Sequence, residues 1–315
     1  MDIGAALIVK NEEELIDELL KELNKFCDQI VVVDTGSTDK TPVLASKLGA
    51  EVYFYAWKDD FSCARNFSLD HIRTEWVFVI DADELPDVNS VFGSADLLND
   101  DKSGGLNVNI KNYLDDAVSM HKYPRIFRNR KDIRFRGRIH EQIGESIRSA
   151  GFEVKDSSII LEHSGYYNID PKKHERNKEL LRKELEEKPQ DEYIKYHLAN
   201  TEFELGNHNE AFELYDEIKN SVNLSEKQQQ MSRIRLAQIK LKKEKYTEAA
   251  GYLEFSSTDN DIEGFRLFVK AGIDMQLHNF EEALKNYNNV RLIHSSLVNY
   301  EVLENTISEI KQIYN

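Results

Sequence analysis

The chain has little cysteine and little proline, and each scarcity excludes a class of protein. Two cysteines, Cys27 and Cys63, occur in 315 residues, too few for a disulfide scaffold. Five prolines beside 40% hydrophobic residues exclude a largely disordered chain, because such chains lack the apolar residues that build a core. We therefore expect a globular protein with reduced thiols.

Long hydrophobic runs and excess positive charge are missing as well. No run approaches the roughly 18 apolar residues of a membrane helix, and residues 1–4 lack the basic flank and apolar stretch of a signal peptide. The formal net charge of −16, from 41 Lys and Arg against 57 Asp and Glu, argues against a nucleic-acid partner. We expect a cytoplasmic protein that reaches a membrane only peripherally, at the inner face.

The first 90 residues alternate short apolar runs with amphipathic stretches, the pattern of strand–helix–strand units in a parallel α/β sheet. The predicted elements are strands at 5–9, 29–33, 51–55 and 76–80, with helices at 12–26, 41–48 and 63–72. Each strand is apolar on both faces, which predicts helices on both sides of the sheet. From about Leu106 the pattern predicts short alternating strands and loops.

The chain after Pro171 is helical and repeats itself. Ala199, Ala237 and Ala271 are spaced 38 and 34 apart, and a second series follows each by 12 residues, at Ala211, Ala249 and Ala283. Small residues at fixed points let paired helices pack closely. The spacing resembles tetratricopeptide repeats over about 191–290, with a capping helix after Ser295; an irregular helical bundle is the alternative. We predict a domain at 1–168, a helical linker at 169–190 and a repeat domain at 191–315.

The most informative motif follows the fourth predicted strand, where Phe78-Val79-Ile80 leads into Asp81-Ala82-Asp83. Open α/β folds bind ligands at the carboxyl ends of their strands. Two carboxylates placed there provide oxygen ligands for a divalent cation that also binds phosphate. A surface turn is the alternative interpretation. The assignment of a ligand site to this motif therefore depends on the other motifs that accompany it.

Three further strand-end motifs accompany it: Ile8-Val9-Lys10-Asn11-Glu12, Asp34-Thr35-Gly36-Ser37-Thr38-Asp39 and Ala64-Arg65-Asn66. In this order they resemble the nucleotide-binding half of family 2 glycosyltransferases, which have the GT-A fold, over about residues 1–168. The resemblance implies a transferase that uses a nucleotide-sugar donor. Lys10 and Thr35 stand where many members have a tyrosine and a second acid. These two differences leave the identity of the nucleotide's base undetermined, and uridine is the first expectation.

The resemblance also implies roles for individual residues in the nucleotide-sugar site. Val9 and Asn11 would line its entrance, and Asp34 would orient the base or ribose, with a helix-capping turn as the alternative for Asp34. Arg65 would bond the base or diphosphate, and Asp81 and Asp83, with Ala82 between them, would hold the ribose and the metal-bound diphosphate. Asp60 is a further candidate for contact with the nucleotide.

A basic segment ends at a second candidate cluster. Residues 122–138 contain eight basic side chains and one acid, Asp132, either a solvated hairpin face or a place for a diphosphate. Sugar transfer needs a base for the acceptor's proton and positive charge beside the departing diphosphate. Arg136 and Arg138 are candidates for that charge. The resemblance implies that the acid after the histidine is the base, which makes Glu141 the catalytic candidate with His140 beside it; a buried His–Glu pair is the alternative.

His163 ends the last apolar stretch of the first domain. Many enzymes of the GT-A fold use a late histidine to complete the metal shell, which predicts His163 as a ligand with Asp83 and Asp81; a structural histidine is the alternative. Imidazole favours Mn²⁺ over Mg²⁺.

With these residues, the resemblance implies a metal-dependent inverting glycosyltransferase that moves a sugar from a UDP-sugar to a peptide Cys or Ser side chain. The joining of a catalytic domain to repeats resembles bacterial peptide S- and O-glycosyltransferases. It also resembles enzymes of surface-polysaccharide assembly, so a glycan or lipid-linked acceptor is the first alternative. A non-catalytic repeat scaffold with a relic nucleotide site is the second. The repeats have two candidate uses, acceptor binding and homodimer formation.

Overall fold

The structure is a computed structural model that describes residues 2–114, 117–163 and 171–314. The chain divides into two compact units, Met1–Ile169 and Asp170–Asn315. The boundary predicted at residue 168 lies outside the described residues.

The first unit is built on a mixed sheet. Its strands are β1 (Ile3–Val9), β2 (Gln29–Asp34), β3 (Glu51–Phe54), β4 (Trp76–Val79), β5 (Glu84–Pro86), β6 (Ser103–Leu114), β7 (Ala117–Arg128) and β8 (Glu153–His163). They lie in the order β3-β2-β1-β4-β7-β6-β8-β5. The first four in that order are parallel, and β7 joins β4 antiparallel.

Helices cover both faces of this sheet, as the apolar strands predict. They are α1 (Ile16–Leu23), α2 (Thr41–Lys47), α3 (Phe61–Leu69), α4 (Val88–Gly93) and α5 (Gly144–Ser149), with a 3₁₀ turn at Ala95–Asn99. Alternate residues of β1 enter opposite cores: Leu7 packs in the core that includes α1, and Ala6 in the core that includes Leu69 of α3. The predicted α/β architecture of the GT-A type is confirmed.

The region after Leu106 is where the predicted elements are wrong. In place of short strands and loops, β6 and β7 are twelve residues each and pair with each other in antiparallel register. Polar residues such as Asn107, Asn109 and Asn112 interrupt the apolar pattern of β6. Their side chains have hydrogen-bond partners on β8. These partners make polar residues acceptable in a buried strand, and the local hydrophobic pattern gives no sign of them.

Strand β8 brings distant residues to one end of the sheet. It pairs with β6 in parallel, with Asn112 opposite His163, and with β5 in antiparallel register, with Glu84 opposite His163. Since β5 directly follows Asp83, this pairing sets His163 beside the Asp81-Ala82-Asp83 motif.

The second unit is made of paired helices and confirms the predicted tetratricopeptide-like repeats. Its helices are α6 (Pro171–Glu187), α7 (Glu192–Glu204), α8 (His208–Ile218), α9 (Glu226–Lys242), α10 (Tyr246–Tyr252), α11 (Asn260–Gln276), α12 (Phe280–Ile293) and α13 (Tyr300–Tyr314). The six repeated alanines are fully buried, as close helix packing requires. Within the described residues, no helix is both long and apolar enough to cross a membrane.

Candidate active site

Two loops at the carboxyl ends of β1 and β2 are tied into one rim. The carbonyl of Val9 accepts hydrogen bonds from the backbone N–H and the hydroxyl of Thr35, at 2.9 and 3.0 Å. Asn11 has a left-handed φ of 58°; its N–H donates to the Ser37 hydroxyl and its side-chain oxygen accepts from the Thr38 N–H, each at 2.8 Å. The predicted entrance residues Val9 and Asn11 therefore lie at this rim.

Asp34 lies at the end of β2 beneath that rim, and only 2% of it is exposed. Its Oδ1 accepts from the N–H groups of Gly36 and Ser37, both at 2.9 Å, so one oxygen holds the turn. Its Oδ2 is buried and has no hydrogen-bond partner among the described residues. A buried acceptor is costly to leave without a donor, and a ligand N–H or O–H at this edge would supply one.

Asp81 is bound by two arginines. Its Oδ1 accepts from Arg65 Nη2 at 2.8 Å, and its Oδ2 accepts from Arg125 Nη2 at 3.0 Å. Burial raises the pKa of Asp81, but the positive charges of Arg65 and Arg125 outweigh burial and hold that pKa well below its usual range. Asp81 is thus a fixed anion.

Arg125 also binds Glu84, the residue that follows the Asp81-Ala82-Asp83 motif. The Nη2 of Arg125 donates to Glu84 Oε1 at 2.6 Å, and Glu84 Oε2 accepts the Asp81 backbone N–H at 3.0 Å. Burial of Glu84 raises its pKa, although Arg125 opposes the shift. This contact fixes the turn in which the motif lies.

Arg65 joins the strand end to the loop that contains Glu141. The residue is 6% exposed; its Nη2 donates to Asp81, as above, and its Nε donates to Glu141 Oε1. The sequence predicts that Arg65 bonds the base or diphosphate. In the structure Nε and Nη2 have carboxylate partners, while Nη1 is buried without a hydrogen-bond partner in the described part of the chain. The predicted bond from Arg65 to the base or diphosphate stays a prediction, with Nη1 as one donor available for it.

Helix α3 positions the loop with His140 and Glu141. Arg136 and Gln142 exchange two backbone hydrogen bonds at 3.0 and 2.8 Å, which closes the loop at its base. The Asn66 side chain donates to the carbonyl and accepts from the N–H of Phe135, at 3.0 and 2.9 Å. His140 has a left-handed φ of 54°, and burial lowers the pKa of its imidazole against the opposing charge of Glu141.

The basic segment 122–138 does not form one positive patch. Several of its members have separate carboxylate partners: Lys122 with Asp156, Arg128 with Glu75, Arg130 with Asp132, and Arg134 with Asp70. Arg136 is exposed, 3.9 Å from Glu145, and Arg138 lies in the Glu141 loop. The positive charge that Arg136 and Arg138 are expected to place beside a diphosphate therefore stays a prediction for these two residues and does not extend to the whole segment.

Asp83 and His163 form a pair at the end of β8, with His163 Nε2 3.1 Å from Asp83 Oδ2. The hydrogen bond with Asp83 raises the pKa of His163, while burial opposes the shift. Asp81, the third predicted ligand, is turned to its arginines instead. In the described part of the chain, no group of three or more His, Cys, Asp or Glu side chains could hold a metal.

The donor set of this pair fits a divalent cation that shares its shell with a substrate. One carboxylate oxygen and one imidazole nitrogen about 3 Å apart have the spacing of adjacent ligands about 2.1 Å from one octahedral ion. Mn²⁺ and Mg²⁺ keep their other positions for phosphate oxygens and water, so two protein ligands suffice.

Asp60 and Ala82 occupy structural positions in the same region. Asp60 is the N-cap of α3: its Oδ1 accepts from the Cys63 N–H and the Ser62 hydroxyl, at 2.9 and 2.8 Å. Ala82 is 7% exposed and packs in the core that includes Leu7. Their predicted contacts with the nucleotide stay predictions.

Three residues of the site escaped sequence reasoning: Glu84, Arg125 and Asn112. Glu84 is adjacent to the aspartate motif, and that adjacency is the signal that could have found it. Arg125 is one of eight basic residues within 122–138, which hides its separate role. Asn112, whose Oδ1 lies 2.7 Å from His163 Nδ1, is 51 residues from its partner. Only the sheet register joins them to the site.

Comparison with known proteins gives a consistent family. Residues 5–160 match the model of glycosyl transferase family 2. The chain is 29% identical over 202 residues to a TPR repeat-containing protein of Synechococcus elongatus, covering 61% of this chain and 50% of that protein. It is 25% identical over 291 residues to the SPbeta prophage-derived glycosyltransferase SunS of Bacillus subtilis, covering 87% of this chain and 68% of SunS.

The chain thus spans about half the length of the Synechococcus relative. Among solved structures, S. aureus TarS 1–349 in complex with UDP-GlcNAc aligns over 92% of this chain and 90% of that one, with 16% identity and a TM-score of 0.45.

Proposed function

From the premise that residues 5–160 form a glycosyl transferase family 2 domain, we propose that the chain moves a sugar from a UDP-sugar to a peptide Cys or Ser side chain, with inversion at the anomeric carbon. The observation that carries the proposal is the Arg65 bridge. One buried guanidinium binds Asp81 at the strand end and Glu141 in the loop, so a candidate base lies one side chain away from the proposed donor site.

Each residue of the site has a separate role in the proposed reaction. Glu141 removes the acceptor's proton as the acceptor atom bonds to the anomeric carbon, and the bond from that carbon to the diphosphate oxygen breaks. Arg65 keeps Glu141 oriented. Arg136 and Arg138 offer positive charge to the departing diphosphate, and Asp34 Oδ2 accepts from the base or ribose.

Asp83 and His163 would hold the divalent cation, with Mn²⁺ favoured over Mg²⁺ because one ligand is an imidazole. When bound, such an ion supplies charge stabilisation to the leaving diphosphate.

Replacement of Asp34 by asparagine tests the donor site. The asparagine keeps the oxygen that holds the turn but replaces the partnerless oxygen with an N–H₂ group, which would face the ligand's donor. We expect the Kd for UDP, measured by calorimetry, to rise tenfold or more, since a hydrogen bond to a charged group contributes about 1.5–3 kcal/mol.

The matched control is Asp39→Asn in the same loop, where the carboxylate bonds Thr41. This variant should bind UDP as the wild type does. Equal UDP affinity in the Asp34 variant and the wild type would contradict the proposed donor site.

The helical repeats support the choice of a peptide acceptor, since stacked helix pairs build concave surfaces of the kind that bind peptides. The test is incubation with radiolabelled UDP-glucose or UDP-GlcNAc, Mn²⁺, a bacterial membrane-lipid extract as the rival acceptor, and peptides that differ only in Cys, Ser or Ala at one position. We expect label in the Cys or Ser peptide and none in the Ala peptide. Label found in the lipid extract alone would favour the glycan alternative, and UDP-sugar binding without transfer or hydrolysis would favour the scaffold.

A further inference from the structure

Asn112 is a buried asparagine whose side chain faces the imidazole of His163. Only 3% of the residue is exposed, and its Oδ1 lies 2.7 Å from His163 Nδ1. The parallel pairing of β6 with β8 places the two residues opposite each other. A buried amide is tolerated only where it is hydrogen-bonded, so this contact has a structural reason as well as a chemical consequence.

The chemical consequence concerns the two ring nitrogens of His163. An amide oxygen can only accept, so Nδ1 must carry the hydrogen that it donates to Asn112. The other nitrogen, Nε2, then points to Asp83 Oδ2 at 3.1 Å. Histidines that bind metals commonly donate their second N–H to an oxygen acceptor, which fixes the ring and raises the basicity of the ligating nitrogen.

We propose that Asn112 is a positioning residue for the cation site: it fixes His163 in the tautomer and orientation that present Nε2, together with Asp83, to a divalent cation. The inference rests on the proposed metal-dependent function and adds to it a residue on β6. Asn109, on the same strand, shows a different use of an asparagine. Its amide donates to the backbone carbonyls of Ser157 and Ile159, both at 3.0 Å, and these bonds hold β8 against β6.

The experiment measures the affinity of the full chain for Mn²⁺ in the presence of UDP, by electron paramagnetic resonance titration of free Mn²⁺. Asn112→Leu removes the acceptor at similar volume, and we expect it to weaken Mn²⁺ binding about 10- to 100-fold, the usual effect of losing such a partner. Asn112→Asp restores an acceptor and should bind within about threefold of the wild type. Asn109→Leu, the matched control, should lower the Tm and leave Mn²⁺ affinity unchanged.

Two ligand variants separate this inference from the proposed function. If Asp83→Asn and His163→Gln lose Mn²⁺ affinity while Asn112→Leu does not, the positioning role is overturned and the metal site stands. If Asp83→Asn and His163→Gln bind Mn²⁺ as the wild type does, both proposals are overturned.

A measurement on the unaltered chain covers the case in which Asn112→Leu does not fold. Nitrogen-15 NMR of the imidazoles with Mg²⁺ and UDP reports which nitrogen of His163 carries hydrogen. We expect hydrogen on Nδ1. A hydrogen on Nε2 alone would overturn the inference.

Discussion

Replacement of Glu141 by glutamine should lower the rate of sugar transfer about 10²- to 10⁴-fold, the usual contribution of a general base. The glutamine keeps the size of the side chain and can still accept from Arg65 Nε, but an amide cannot take the acceptor's proton. The proposed UDP contact of Asp34 is on β2 and does not involve Glu141. The Kd for UDP should therefore change little in this variant. Steady-state transfer from a radiolabelled UDP-sugar measures the first quantity, and calorimetry measures the second.

Glu145 offers a matched control four residues further along the chain. Its side chain is 68% exposed and lies 3.9 Å from Arg136, so Glu145→Gln should transfer at nearly the wild-type rate. Wild-type activity in Glu141→Gln would remove Glu141 as the base and leave His140 as the candidate in the same loop.

Replacement of Arg125 by methionine should lower the free energy of unfolding by about 3–5 kcal/mol, because loss of one member of a buried ion pair leaves the other charge without compensation. The side chain of Glu84 is 4% exposed and that of Arg125 is 13% exposed. Asp81 loses its second arginine in the same variant. Urea denaturation followed by circular dichroism measures the change.

Arg130→Met is the control, since Arg130 pairs with Asp132 where both side chains are about half exposed; there the expected loss is below about 1 kcal/mol. The double variant Arg125→Met with Glu84→Gln should regain part of the lost stability, because the uncompensated carboxylate is removed. If Arg125→Met is no more destabilising than Arg130→Met, the buried network does not stabilise the strand end in the way its geometry indicates.

The buried charges act as one chain, which affects how variants combine. Glu141, Arg65, Asp81, Arg125 and Glu84 are linked in that order by hydrogen bonds. Residues within one such network couple, so substitutions of Arg65 and Arg125 should be non-additive. The loop that contains the candidate base and the strand end at the proposed donor site therefore share one source of rigidity.

Much of the fold was predictable because its signals are local. The strands at residues 3–79 are continuous apolar runs, since helices bury both of their faces. The edge strand β3 is half-buried, with Phe54 71% exposed, and departs from that rule. The repeats were visible because each helix pair needs a small residue at the same point, as at Ala199 and Ala237.

The long strands β6 and β7 were missed because their side chains are satisfied across the sheet. Asn109 bonds the backbone of β8, and Arg125 binds carboxylates that follow β4. A polar residue in a buried strand locally predicts a loop, because the partner that satisfies it lies tens of residues away in the sequence. For the same reason the sequence left two interpretations open for the basic segment 122–138, a solvated hairpin face and a place for a diphosphate, whereas several of its charges pair with separate carboxylates.

The sequence by itself determined the family resemblance, the two kinds of domain and the residue types at the strand ends, because these depend on short motifs and on periodicity. The tertiary structure decided which of those residues meet. It turned Asp81 to Arg65 and Arg125, set His163 beside Asp83, and brought in Asn112. The physical reason is sheet register: β8 pairs with β6 on one side and β5 on the other, and a shift of one residue would send His163 to the opposite face.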